Sequence, residues 1–265
     1  MKKHLKVLLC QNDMEWENAE GTLSGLENAV RTVCSGSGKP DILIFPEFFS
    51  VGFTMKPEVA EQPMGRSASW LREVAMKYKV ATIGSVPTIL YENGTQVRHN
   101  RGYFFTPDGK CSIYDKKHLF NISREGQTYE PGKEKCTICY KGWNIEFNIC
   151  YDLRFPVWSR NSANRYDLLV NIASWPDSRI SAADTLIRAR AIENNAYALF
   201  CNRVGKDVMC TYNGHSKVVD YTGKVISRRR VVEGIEFFSA LLKMDELLHY
   251  REKFPSWKDM DTFTI

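Results

Sequence analysis

The chain has 265 residues, 43% of them hydrophobic, which is enough for one large domain or two modest ones around a substantial core. Its 36 basic and 31 acidic residues are interspersed and leave a formal charge of +5. That pattern argues against the concentrated basic face of a nucleic-acid binder, with "SRRR" (227–230) as the one real basic cluster. No run approaches the roughly 20 apolar residues of a membrane-spanning helix, so neither nucleic acid nor membrane is an expected partner.

In chain order, "MKKHLKVLLCQND" sets basic residues before apolar ones, but Val7 to Cys10 falls far short of the about 7–15 apolar residues of a secretory signal. The eight cysteines, at 10, 34, 111, 136, 139, 150, 201 and 210, mostly lie inside apolar, strand-like runs. A disulfide framework would space them through polar loops, so they read as reduced thiols in a cytoplasmic protein. "SGSGKP" (35–40) has Val33 where a phosphate loop needs its first glycine and Pro40 where it needs Ser or Thr; it reads as a loop before a strand.

From there the chain writes one pattern twice. "PDILIFPEFF" (40–49) and "YDLLVNIASWP" (166–176) each give an aspartate, an apolar strand and a proline-marked turn. Each is followed by an amphipathic helix and a strand, "SWLREVAMKYKVATIGSV" (69–86) and "TLIRARAIENNAYALFCNRVG" (185–205). Each then reaches a glycine-turn hairpin, "YFFTPDGKCSIYDKK" (103–117) and "SKVVDYTGKVISRR" (216–229). Strands apolar throughout need cover on both faces. Two sheets stacked face to face with helices outside, a four-layer α-β-β-α sandwich of two related halves, satisfy that need in a single domain, 1–265. "SRRR" (227–230) reads as a solvated hairpin end.

Three positions stand out chemically. Cys150 ends the alternating run "WNIEFNIC" and is followed by "YDLRFP", which cannot continue a strand through Pro156. A strand-to-turn junction exposes a nucleophile and aims the following backbone N–H at a developing oxyanion, although a core cysteine is an ordinary alternative. Glu47 closes "DILIFPE" at the carboxyl end of a strand, where sites gather in α/β sheets, although a glutamate satisfying a turn or helix N-terminus is the ordinary alternative. Held among Phe45, Phe48 and Phe49, it would be poorly solvated and a better base. Lys116 and Lys117 lie in "YDKKHLF", by default a surface lysine pair; if alternation sets Tyr114 and Lys116 on one face, Lys117 turns away from it. "CTIC" (136–139) has redox spacing, but it sits in a strand-like stretch with no helix after it and reads as packing. No second C-x-x-C, no H-E-x-x-H and no calcium loop appears, so no metal site is expected.

Together, the glutamate of "FPE", the lysine of "YDKKHLF" and the cysteine opening "CYDLRFP" resemble the Glu-Lys-Cys signature of the nitrilase superfamily of carbon–nitrogen hydrolases. "PEFFSVGFTM", "ARAIENNAYALFCNRVG" and "YREKFPSW" are similar to its bacterial omega-amidase branch, so the resemblance covers essentially the whole chain. It implies the α-β-β-α sandwich, a homodimer or larger assembly, no cofactor and a small-molecule amide substrate. The expected substrate is 2-oxoglutaramate or 2-oxosuccinamate. Another small-substrate amidase, a carbamoylase or an inactive scaffold of the same fold are the alternatives. The resemblance makes Cys150 the nucleophile, Glu47 the general base, and Lys116 with the Tyr151 backbone N–H the oxyanion donors. Glu125 in "REGQTYEPG" matches a supporting glutamate, with Glu130 nearby as its competitor. Asp152 and Arg154 are expected to lock the turn by pairing, with Arg154 as an alternative holder of a substrate carboxylate.

Overall fold

The computed structural model describes residues 3–261. The first half runs β1 (His4–Gln11), α1 (Ala19–Cys34), β2 (Ile42–Ile44), α2 (Arg66–Tyr78), β3 (Ala81–Glu92), β4 (Thr95–Phe105) and β5 (Cys111–Asp115). The second runs β6 (Thr137–Tyr140), β7 (Trp143–Ile149), β8 (Leu168–Ala173), α3 (Ile180–Glu193), β9 (Tyr197–Asn202), β10 (Val204–Lys206), β11 (Thr211–Asn213) and β12 (Lys217–Val219). The chain closes with β13 (Arg228–Val232), β14 (Ile235–Lys243) and α4 (Met244–Lys253). One sheet has the order β13-β14-β1-β2-β3-β4-β5, the other β12-β9-β8-β7-β6, and β10-β11 form a separate ribbon. Among the described residues no helix is long and apolar enough to cross a membrane.

Strand alternation builds the layers. Val7, Leu9, Ile42, Ile44 and Ile83 from the first sheet share a core with residues of the second, including Ile145, Phe147, Ile149, Val170 and Ile172. Their neighbours Leu8, Cys10 and Leu43 point the other way, into a core completed by Leu26 and Val30 of α1 and Leu71 and Val74 of α2. Leu23, Leu26, Val30 and Val33 recur at helical spacing, so α1 presents one apolar stripe, and the Asn18 side chain caps its start by accepting from the Gly21 N–H at 3.1 Å. On the outer face of the second sheet, α3 contributes Ala183, Ile187 and Ala191. Each fully buried Leu, Ile or Val contributes about 1.5–3 kcal/mol, so this double-sided burial dominates the stabilisation. The result is the expected α-β-β-α sandwich.

The internal repeat extends to individual hydrogen bonds. Asp41 N–H donates to the Lys6 carbonyl at 2.8 Å, and Asp167 N–H to the Asn144 carbonyl at 2.8 Å. Asp41 Oδ2 accepts from Lys6 N–H at 2.9 Å, as Asp167 Oδ2 does from Asn144 N–H at 3.0 Å. The turns at 106–110 and 220–224 also share their bonding, Gly109 N–H to Thr106 O at 2.8 Å and Gly223 N–H to Asp220 O at 2.9 Å. The second hairpin departs from expectation beyond its turn. After Val225 bridges Val219, the chain leaves for the other sheet, where Arg228 to Arg230 form the exposed edge strand β13. "SRRR" is therefore a charged sheet edge, which blocks edge-to-edge pairing, and not a hairpin end. In "CTIC", Ile138 is buried, Cys139 is exposed and Cys136 packs partly against the inter-sheet core. Three residues apart on extended chain, the two thiols face opposite ways, and all eight cysteines are free.

Candidate active site

The carboxyl ends of β2, β5, β7 and β8 converge on one buried cluster. β2 stops at Ile44, and Glu47 follows after Phe45 and Pro46, fully buried. The backbone then turns sharply: Phe48 has φ of 47°, and its N–H donates to Ser85 Oγ at 2.9 Å. Glu47 Oε1 accepts from Lys116 Nζ at 2.8 Å and Asn100 Nδ2 at 2.7 Å, while Oε2 accepts from the Ser174 N–H at 2.8 Å. Lys116 is one residue past β5 and also fully buried. Its ammonium donates to both oxygens of Glu125, at 3.0 and 2.9 Å. Glu125, buried in turn, accepts from the Phe120 N–H at 2.6 Å and from Asn100 Nδ2 at 3.1 Å.

Three charges out of water are tolerable only when each is paired and hydrogen-bonded, as here. Burial alone would lower Lys116, but Glu125, Glu47 and Cys150 outweigh it and hold the ammonium above the ordinary lysine value. Burial raises Glu125, with Lys116 opposing and Glu47 adding repulsion. The cluster thus carries a permanent cation fixed between two carboxylates.

Cys150 stands where β7 gives way to a short 3-10 helix, Cys150–Arg154, and its φ of 47° marks the bend. The first N–H groups of such a helix, Tyr151 among them, lack intrahelical acceptors. Burial and the Glu47 carboxylate push the Cys150 thiol well above its ordinary value, against the pull of Lys116. The thiol is therefore protonated at neutral pH, and attack by its sulfur requires a local proton acceptor. A cavity of about 410 Å³ ends at Cys150 and Ser174, with Tyr151, Arg154 and Trp175 also in its wall.

The structure brings Glu47, Lys116, Glu125 and Cys150 together and separates their sequence neighbours. Glu130 lies outside the cluster and is exposed; its carbonyl meets His99 Nδ1 at 2.9 Å. Lys117 points away from the cluster, over the Trp158 ring at 5.3 Å. The expected Asp152–Arg154 pair does not form. Asp152 is buried and faces inward, accepting from Tyr114 OH at 2.7 Å, Ile149 N–H at 3.0 Å and His118 N–H at 2.9 Å. It thereby ties the Cys150 turn to the segment carrying Lys116. Arg154 lies over the Trp175 ring at 5.0 Å in the cavity wall. Sequence reasoning missed Asn100 and Ser174. The internal repeat, with Asp41 matched to Asp167, sets Ala173 and not Ser174 opposite Glu47, so it gave no direct signal for Ser174.

The structure is a four-layer sandwich with Glu47, Lys116 and Cys150 gathered at its strand ends. The chain belongs to the carbon–nitrogen hydrolase family of the nitrilase superfamily: the family pattern, carbon-nitrogen hydrolase, matches residues 6–234. It is a hydrolase acting on carbon–nitrogen bonds other than peptide bonds. Omega-amidase YafV of Escherichia coli K12 is 36% identical over 262 residues, covering 98% of each chain. The 2-oxoglutaramate amidase of Bacillus subtilis is 31% identical over 225 residues, covering 83% of this chain and 85% of its own. XC1258 of Xanthomonas campestris, described as a CN-hydrolase superfamily protein with an arsenic adduct in the active site, superposes with a TM-score of 0.91 at 34% identity, covering 99% of each chain.

Proposed function

We infer that the protein is an omega-amidase that hydrolyses the terminal amide of a small 2-oxo acid, 2-oxoglutaramate or 2-oxosuccinamate, to the dicarboxylate and ammonia. The observation that carries this reading is the thiol of Cys150 at the end of a cavity, within electrostatic reach of Glu47, Lys116 and Glu125 buried behind it. Two full-length or near full-length relatives with omega-amide activities in their names support the substrate class.

In the proposed reaction Glu47 takes the thiol proton as the Cys150 sulfur adds to the amide carbonyl. The carbonyl oxygen becomes an oxyanion stabilised by the positive charge of Lys116, which Glu47 and Glu125 hold in place, and by the Tyr151 N–H. The carbon–nitrogen bond breaks, Glu47 returns its proton to the departing nitrogen, and ammonia leaves a thioester on Cys150. Water then adds, with Glu47 taking its proton. Collapse of this second intermediate expels the sulfur, which regains the proton, and releases the carboxylic acid product. Glu125 holds Lys116 in place throughout, and no cofactor enters the scheme. Arg154, with no carboxylate partner among the described residues, faces the cavity as a counter-ion for the substrate carboxylate. The inter-sheet core shared by both halves supports a single domain, which we place in the cytoplasm as a homodimer or larger assembly.

Ammonia release from 2-oxoglutaramate by wild type and Cys150→Ala tests the proposal. Turnover should vanish in the variant with its melting temperature essentially kept, because one small side chain is lost along with the covalent route. Substantial activity in Cys150→Ala would move the nucleophile elsewhere.

A further inference from the structure

Most of the wall of the cavity above Cys150 is apolar, and four charged side chains interrupt it: Glu17, Lys56, Arg154 and Arg179. Glu17 and Lys56 neutralise each other, Nζ to Oε2 at 3.1 Å, and Thr54 Oγ1 donates to the other carboxylate oxygen at 2.6 Å. Neither arginine has a carboxylate partner among the described residues. Each instead lies over an aromatic ring, Arg154 over Trp175 and Arg179 over Phe120, both 5.0 Å from guanidinium carbon to centroid. Stacking of this kind leaves the in-plane N–H groups of a guanidinium available to donate. Trp175 joins the two, since its ring carries Arg154 and its indole N–H donates to the Arg179 carbonyl at 2.9 Å. One residue earlier, the Ser174 N–H grips Glu47 at 2.8 Å. The segment 174–179 therefore ties the ring under Arg154 and the backbone of Arg179 to the buried cluster.

Two uncompensated cations in a largely apolar cavity call for an anionic ligand rich in acceptors. We propose that Arg179 completes, with Arg154, a two-arginine clamp that recognises the 2-oxo carboxylate end of the substrate and rejects the corresponding 2-amino acid. The proposal rests on the omega-amidase reading. A 2-oxo carboxylate offers three acceptor oxygens and no donor, which matches two guanidinium forks. A 2-amino acid replaces one acceptor by an ammonium, and like charges in a poorly solvated cavity repel strongly. Glu17, the one carboxylate in the wall, is occupied by Lys56 and Thr54 and does not offset this.

The test compares ammonia release from 2-oxoglutaramate, glutaramate (the same amide without the oxo group) and glutamine by wild type, Arg179→Gln and Arg179→Lys. Wild type should prefer them in that order. Arg179→Gln should lose about ten- to a hundredfold in kcat/KM for 2-oxoglutaramate, the range of one charge-assisted hydrogen bond. It should lose much less for glutaramate and narrow the gap to glutamine, and Arg179→Lys should recover part of the preference. An equal loss on all three amides would mark Arg179 as structural, and no loss would remove it from the site; either overturns the clamp. If wild type hydrolysed none of the three, the functional reading would fall. Calorimetric titration of 2-oxoglutarate into Cys150→Ala would still decide the clamp. Binding lost on adding Arg179→Gln supports it, whereas unchanged binding, or none in Cys150→Ala itself, refutes it.

Discussion

Lys116 and Lys117 are adjacent in sequence and meet opposite environments. Lys116 has both Glu125 oxygens and Glu47 within 3.0 Å and is fully buried. Lys117 is half-buried and reaches over the Trp158 ring instead. If Lys116 is the oxyanion donor we propose, replacing it by alanine should cost about 3 kcal/mol of transition-state stabilisation, a hundredfold or more in rate. It also leaves two buried carboxylates facing each other without a cation, so the melting temperature should fall as well. Lys117→Ala should remain within about 0.5 kcal/mol of wild type in stability and keep its activity. Steady-state kinetics and thermal melts of the two variants check this, and equal losses would contradict the assignment of Lys116. His118 and Tyr114 join the segment carrying Lys116 to the Cys150 turn through Asp152, so the two halves of the proposed oxyanion site are not independent of each other.

At the scale of elements, the β10–β11 ribbon shapes the cavity from outside the two main sheets. Its tip carries Val208, Met209 and Cys210 into the cavity wall. Asp207 holds that tip: Oδ1 accepts from the Met209 and Cys210 N–H groups at 2.9 and 2.8 Å, and Oδ2 from Tyr212 OH at 2.7 Å. Buried Arg203 bridges Asp207 and Asp13, at 3.4 and 3.0 Å. Asp207→Asn keeps the shape but loses the charge that satisfies Arg203. It should raise KM roughly tenfold and lower the melting temperature, with kcat within about twofold because Asp207 touches none of the buried cluster. A fall in kcat at constant KM would contradict this role. Glu47, Lys116 and Cys150 each end a strand whose alternation or apolar run is visible locally, but that pattern made them only candidates, and the resemblance of the three segments to one family singled them out. Asn100 and Ser174 left no such trace, since their partner Glu47 lies on another element. The Asp152–Arg154 pairing failed for a related reason: proximity in sequence suggested it, but burial turned the carboxylate toward Tyr114 and His118.

For the whole molecule, the repeat was legible as a pattern of strand, helix and hairpin, and the matching bonds of Asp41 and Asp167 carry it to the level of atoms. The crossing of β13 into the opposite sheet was not legible, because pairing choice depends on the other sheet's free edge. The two aspartates differ in their outer partners. Asp167 neutralises Arg251 at 2.8 Å, and that side chain is 7% exposed, whereas Asp41 faces Lys141, which is 34% exposed. Asp167→Ala should therefore cost about 3–5 kcal/mol by orphaning a buried charge, and Asp41→Ala distinctly less; urea unfolding curves would show the order, and a reversed order would contradict it. In the proposed reaction both halves take part. Glu47 belongs to the first and Cys150 to the second, and Ser174 of the second holds Glu47 in place. The central claim is that this carboxylate serves the thiol in both acylation and deacylation. Intact-mass spectrometry of Glu47→Gln after long incubation with 2-oxoglutaramate tests it most directly, because glutamine keeps the shape but accepts no proton. The account predicts a slowly accumulating adduct of the acyl group's mass that is absent when Cys150 is also replaced. Rapid turnover without an adduct, or an adduct that survives loss of Cys150, would contradict it.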